Sequence, residues 1–151
     1  MKKSVEYLEF QFAWWIIILL PFWCILVYLY FSAGEGMDLI TFLAISAIFL
    51  LIGLLFYGMR TRVDDSKIRI GFGVGLIKKT IHLNNVKSVE AVRNKWYYGW
   101  GIRLISNGWL YNISGLDGVE IKQKDRKSVI RIGTKQPLLL RKAIFEGIAQ
   151  N

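Results

Sequence analysis

Residues 13–31 read AWWIIILLPFWCILVYLYF and residues 39–57 read LITFLAISAIFLLIGLLFY, two runs of 19 residues without a charge. At roughly 1.5 Å of rise per residue, each matches the roughly 30 Å hydrocarbon core of a bilayer. Only SAGEGMD separates them, so the pair reads as a transmembrane helical hairpin. Trp14, Trp15, Tyr28, Tyr30 and Tyr57 lie towards the ends of the runs, where amphipathic rings favour the headgroup zone. A cleaved signal peptide needs a shorter apolar core and a small-x-small site, and Tyr28, Tyr30 and Phe31 fit that pattern badly.

Outward from these runs, charge divides the chain. Of the 151 residues, 20 are Lys or Arg and 11 are Asp or Glu, a net +9. Through Tyr57 there are two basic and four acidic residues, whereas from Gly58 onward there are 18 basic and 7 acidic, so the second part carries +11. Lys2 and Lys3 precede the first run, Arg60, Arg62, Lys67 and Arg69 follow the second, and the loop between the runs has neither Lys nor Arg. The positive-inside rule then places both termini in the cytoplasm, with the anchor in the inner (plasma) membrane. No acidic or basic residue lies within either run, which leaves no visible ion or proton path and argues against a transporter. Cys24, the only cysteine, sits inside the first run, so neither an internal disulfide nor a thiolate metal cluster is expected.

After Arg62 the hydrophobic period changes. Ile68, Ile70 and Phe72 alternate with Lys67, Arg69 and Gly71, the pattern of a half-buried strand. Further strands are predicted at 76–83, 86–93, 102–106, 109–114, 119–124 and 129–133. Asn107-Gly108 suits a type I′ hairpin turn with positive φ at both positions, and residues 125–128 supply a second polar turn. Six or seven short strands joined as a meander imply an antiparallel sandwich or small barrel. Pro137 can open a closing helix in which Leu140, Ile144 and Ile148 recur at spacing four. The expected organisation is a cytoplasmic tail over 1–12, the hairpin over 13–57 and a cytoplasmic β domain over 61–151.

Strands followed by one helix is the order of elements in pleckstrin-homology (PH) folds. The stretches Trp96-Tyr97-Tyr98-Gly99-Trp100-Gly101-Ile102-Arg103, Gly108-Trp109-Leu110-Tyr111-Asn112-Ile113-Ser114 and Ile132-Gly133-Thr134 resemble those of small, largely uncharacterised bacterial two-transmembrane proteins with a PH-like domain. That resemblance covers the last third to half of the chain. It implies a membrane-anchored hairpin followed by an antiparallel PH-like barrel or sandwich capped by a C-terminal α-helix, acting in binding or assembly.

Candidate sites follow from residue chemistry. Lys67, Arg69, Lys78 and Lys79 flank Gly71-Phe72-Gly73-Val74-Gly75, and PH domains hold anionic headgroups at their first hairpin; these four are the expected contacts for anionic phospholipid. The glycines themselves precede a strand and not a helix, so they read as a hairpin turn and not as a phosphate loop. Trp96, Tyr97, Tyr98 and Trp100, bounded by Lys95 and Arg103, form an aromatic run expected to pack against the barrel or the hairpin anchor, with insertion at the bilayer interface and contact with a protein partner or other ligand as alternatives. The membrane anchor argues against nucleic acid for the same residues. His82 is the sole histidine and the acids Asp64, Asp65, Asp117, Glu120 and Asp125 fall in no catalytic motif, so neither enzyme, metal nor cofactor is expected. The expected function is a non-catalytic scaffold that recruits or organises a protein at the inner leaflet, with an anionic-lipid-binding or envelope-stress accessory as the alternative.

Overall fold

A computed structural model describes residues 7–32, 38–64 and 66–150. Lys2, Lys3 and the loop 33–37, which entered the orientation argument, lie outside the described residues, as do Asp65 and Asn151. A 3-10 turn at Trp14–Ile18 runs into α1 (Leu19–Ser32), and α2 (Leu39–Phe56) follows. Asp38 caps α2, its carboxylate accepting hydrogen bonds from the Thr41 amide at 2.9 Å and the Thr41 hydroxyl at 2.7 Å. Both helical runs are long and apolar enough to cross a membrane. None of their residues is buried, unlike those of a core helix in a water-soluble domain; only Trp15, Ile16 and Phe56, near the sheet, pack partly against the β core.

The segment expected as a tail is a strand. β1 (Tyr7–Phe12) pairs antiparallel with β2 (Gly58–Val63), from Tyr7 opposite Val63 to Phe12 opposite Gly58. The helix pair is therefore inserted between two adjacent strands of one sheet, and both of its ends leave from the same side. The Ala13 amide closes the neck by donating to the Tyr57 carbonyl at 2.9 Å. The β domain accordingly begins at Tyr7 and resumes at Gly58, not at Thr61. The strand was hidden because its alternation is inverted: Tyr7, Glu9 and Gln11 point inward while Leu8, Phe10 and Phe12 are exposed.

β3 (Lys67–Phe72) and β4 (Ile77–His82) complete the first sheet, in the order β1-β2-β3-β4. The second contains β5 (Val86–Arg93), β6 (Gly101–Ile105), β7 (Gly108–Asn112), β8 (Asp117–Gln123) and β9 (Val129–Gly133), ordered β5-β8-β9-β7-β6. Here β7 and β9 run parallel, so the expected all-antiparallel meander is corrected to a mixed sheet, and neither sheet closes into a barrel. The cause is the β8–β9 hairpin, which folds back so that β9 enters between β8 and β7.

The Asn107-Gly108 turn is also displaced. Ile105 pairs with Gly108, so Ser106 and Asn107 make the loop, and neither Asn107 nor Gly108 has positive φ. Gly108 is required for a different reason, because a Cβ there would run into the Val129 carbonyl of the parallel neighbour β9.

The inner faces meet as a sandwich. Met59, Ile68, Ile70 and Phe72 of the first sheet join Val119, Ile121, Ile130 and Ile132 of the second. Fully burying each such side chain stabilises the fold by about 1.5–3 kcal/mol. α3 (Pro137–Ala149) packs against β5 and β8 through Leu140 and Ile144, both fully buried, with Ile148 partly buried; Pro137 stands in its first turn as expected.

Candidate functional site

The alternation of β2, β3 and β4 sets one face of the first sheet. Met59, Thr61 and Val63 face the core, leaving Arg60 and Arg62 outward; Ile68, Ile70 and Phe72 do the same for Arg69. The ladder then aligns Arg62 with Arg69 and Thr80, and Arg60 with Gly71 and Lys78. These residues, with Lys79, line a groove of about 340 Å³ to which no acidic side chain among the described residues contributes. Asp64 stands beside it, paired with Arg62 and with Arg69 at 3.3 Å. Both arginines are more than half exposed in these pairs, so the contacts are worth little and leave the groove cationic.

The glycine loop ties this groove to α2. Gly73 has φ +51, and a Cβ there would overlap the Leu54 carbonyl, so the loop backbone lies directly against the last helical turn. The Val74 amide donates to the Leu54 carbonyl at 3.1 Å, and the Gly73 amide to the Gly58 carbonyl at 2.8 Å. The first of these bonds satisfies a carbonyl that the end of α2 leaves without a helical partner. At the same tip Val74 and Leu76 are exposed, 56% and 75%. Arg60 lies with its guanidinium carbon 5.9 Å from the centroid of the Phe10 ring, and Phe10 in turn approaches Tyr57 at 6.2 Å. One continuous face thus carries apolar side chains on β1 and at the loop tip, with cations between them.

Of the four sequence-predicted lipid contacts, Arg69, Lys78 and Lys79 line the groove together. Lys67 does not, since it pairs with His82 at the other end of the β3–β4 ladder. Arg60 and Arg62 belong to the groove but had entered the sequence argument only as orientation charges. The period-two pattern of GMRTRV was the signal that could have revealed them.

The aromatic run is divided by the fold. Trp96–Tyr98 form a 3-10 turn after β5, and Tyr98 covers a small cluster of Ile105, Leu110 and Val129 on the outer face of the second sheet. Trp96, Tyr97 and Trp100 stay exposed. Tyr97, hydrogen-bonded to Lys95, holds that amine above its usual range.

A buried polar cluster lies behind β1. The Glu9 carboxylate accepts from the Thr134 hydroxyl at 2.6 Å, the Tyr7 hydroxyl at 2.9 Å and the Lys135 amide at 2.9 Å. Gln11 donates to the Gly133 carbonyl at 2.8 Å. Burial pushes the Tyr7 hydroxyl up to about 12, with the negative charge of Glu9 adding to the effect. This cluster fastens the strand before the helices to the approach of α3. It explains why polar residues face inward there.

Comparison with protein-family models, curated proteins and solved structures finds no match to this chain.

Proposed function

We propose that the chain is a membrane-anchored, non-catalytic β module that holds an anionic phospholipid headgroup where its helices leave the bilayer. The observation that carries this reading is the placement of Arg60, Arg62, Arg69, Lys78 and Lys79 around one groove directly beside the C-terminal turn of an apolar helix. A polar surface at that depth meets headgroups, and each Lys or Arg near an anionic leaflet contributes about 1 kcal/mol. The exposed Val74, Leu76, Phe10 and Phe12 suit insertion just below the headgroups. Pairing of β1 with β2 supports a single side for both termini, and the charge asymmetry supports the cytoplasmic side of the inner membrane. From β2 onward, strands closed by one helix are the feature that favours the PH-like comparison, against which stand the parallel β7–β9 pair and the two unclosed sheets.

The test uses full-length protein in neutral detergent, titrated with short-chain phosphatidylglycerol or phosphatidylcholine. Phosphatidylglycerol should bind at least about tenfold more tightly. Arg60→Glu with Lys78→Glu should remove the preference, and high salt should weaken it as the screening length falls from about 10 Å at 0.1 M to about 3 Å at 1 M. Equal affinity for the two lipids would sink the proposal.

A second reading, recruitment of a protein partner, is favoured by the outward Trp96, Tyr97 and Trp100, since aromatic residues are enriched in interface cores. A photoreactive residue at Trp96 should then crosslink one protein in stoichiometric yield in cells. Capture of lipid alone would leave the scaffold reading without support.

A further inference from the structure

We infer that the basic groove and a cleft between α1 and α2 are two halves of one site for an intact anionic phospholipid, an inference that rests on the headgroup reading above. The helices touch far from the sheet, where the rings of Tyr30 and Phe42 stack at 4.4 Å, and again where Trp23 Nε1 donates to Ser46 Oγ at 3.3 Å. Towards the sheet they leave an apolar cleft of about 880 Å³, walled by Phe12, Ile16, Trp23, Leu50, Gly53 and Tyr57 among others. Along α2 its lining runs from Leu43 to Tyr57, about 21 Å at 1.5 Å per residue, which exceeds one leaflet's half of the roughly 30 Å hydrocarbon core. An acyl chain of a lipid in that leaflet can lie wholly inside.

Two observations join the halves. Tyr57 lines both the cleft and the basic groove, and Leu54 lines the cleft while its carbonyl holds the loop that walls the groove. Gly53, in the last turns of the helix, would place a Cβ in open space. Glycine in a helix interior is unfavourable relative to alanine, and among the described residues no neighbour requires it there. The space beside it is the cleft. The occupant is therefore a molecule with an apolar chain and an anionic head, whose two parts match the two linings. A second transmembrane helix would satisfy the cleft and leave the cations unexplained.

The experiment follows retention of long-chain phosphatidylglycerol on the full-length protein by native mass spectrometry, with glycerol phosphate as the probe for the groove alone. Ala47→Phe with Gly53→Leu should fill the cleft and lower lipid retention by about tenfold as the chain loses its van der Waals packing against the two helices, with glycerol phosphate binding unchanged. Arg60→Glu with Lys78→Glu should lower both. If the double variant does not fold, Gly53→Leu alone carries the same comparison. Undiminished lipid retention in the folded cleft-filled variant overturns the shared site while the headgroup reading stands. Retention undiminished by both sets of changes overturns the headgroup reading as well. A change from dimer to monomer on filling the cleft assigns it to a second copy of the chain and also overturns the inference.

Discussion

Gly108 and Asn107 separate two explanations of one turn sequence at the level of single atoms. Asn107 has no positive φ to accommodate, so Asn107→Ala should change stability by no more than about 0.5 kcal/mol. Gly108→Ala drives a methyl into the Val129 carbonyl and should cost about 1–3 kcal/mol, read as a lower thermal midpoint of the detergent-solubilised protein. A large loss in the Asn107 variant alongside that in the Gly108 variant would restore the type I′ turn, which needs positive φ at both positions. Tyr7 provides a pH-dependent counterpart. Its hydroxyl ionises near 10 in the unfolded chain and at about 12 in the folded one, so the unfolded chain loses its proton first. The corresponding stability is complete below pH 10 and disappears as pH rises to 12. Tyr7→Phe should lower stability at neutral pH, because Glu9 loses a donor, yet flatten the decline between pH 10 and 12 relative to the parent. Parallel declines in the two proteins would exclude Tyr7 as the source.

At the scale of elements, the joint between α2 and the β3–β4 hairpin decides whether the groove sits beside the helix. Gly73→Ala combines positive φ with overlap on the Leu54 and Leu55 carbonyls, so the loop has to leave the helix end. The expected cost is about 1–3 kcal/mol, together with faster amide exchange at Val74, whose partner is the Leu54 carbonyl. Unchanged exchange at Val74 would show that the loop does not depend on this seat. β3, β4 and α3 were legible because a period of two or four coincided with burial, as in Ile68-Ile70-Phe72 and Leu140-Ile144. β1 was not, because its inward residues are polar and satisfied by Thr134, Lys135 and Gly133, groups more than a hundred residues away.

At the scale of the whole molecule, the β1–β2 ladder makes the helical hairpin an insertion in a sheet, and this constrains topology beyond the charge rule. In a Cys24→Ser background, single cysteines at Leu8 and Thr80 should share one response to an impermeant thiol reagent on intact cells, and one at Glu35 the opposite response. Labelling of Glu35 alone supports the cytoplasmic assignment of the sheet; labelling of Leu8 and Thr80 alone reverses it. Different responses at Leu8 and Thr80 contradict the ladder itself. The sequence by itself determined two uncharged runs of membrane-spanning length, the strand periodicity from β3 to β9, the closing helix and three groove cations, since each is written in local hydropathy and charge. Tertiary structure alone decided that Tyr7–Phe12 joins the sheet, that β9 lies parallel to β7, and that cations of β2, β3 and β4 converge on one groove at the end of α2. The physical reason is that strand pairing and side-chain convergence depend on contacts between segments far apart in the chain, which no local period encodes.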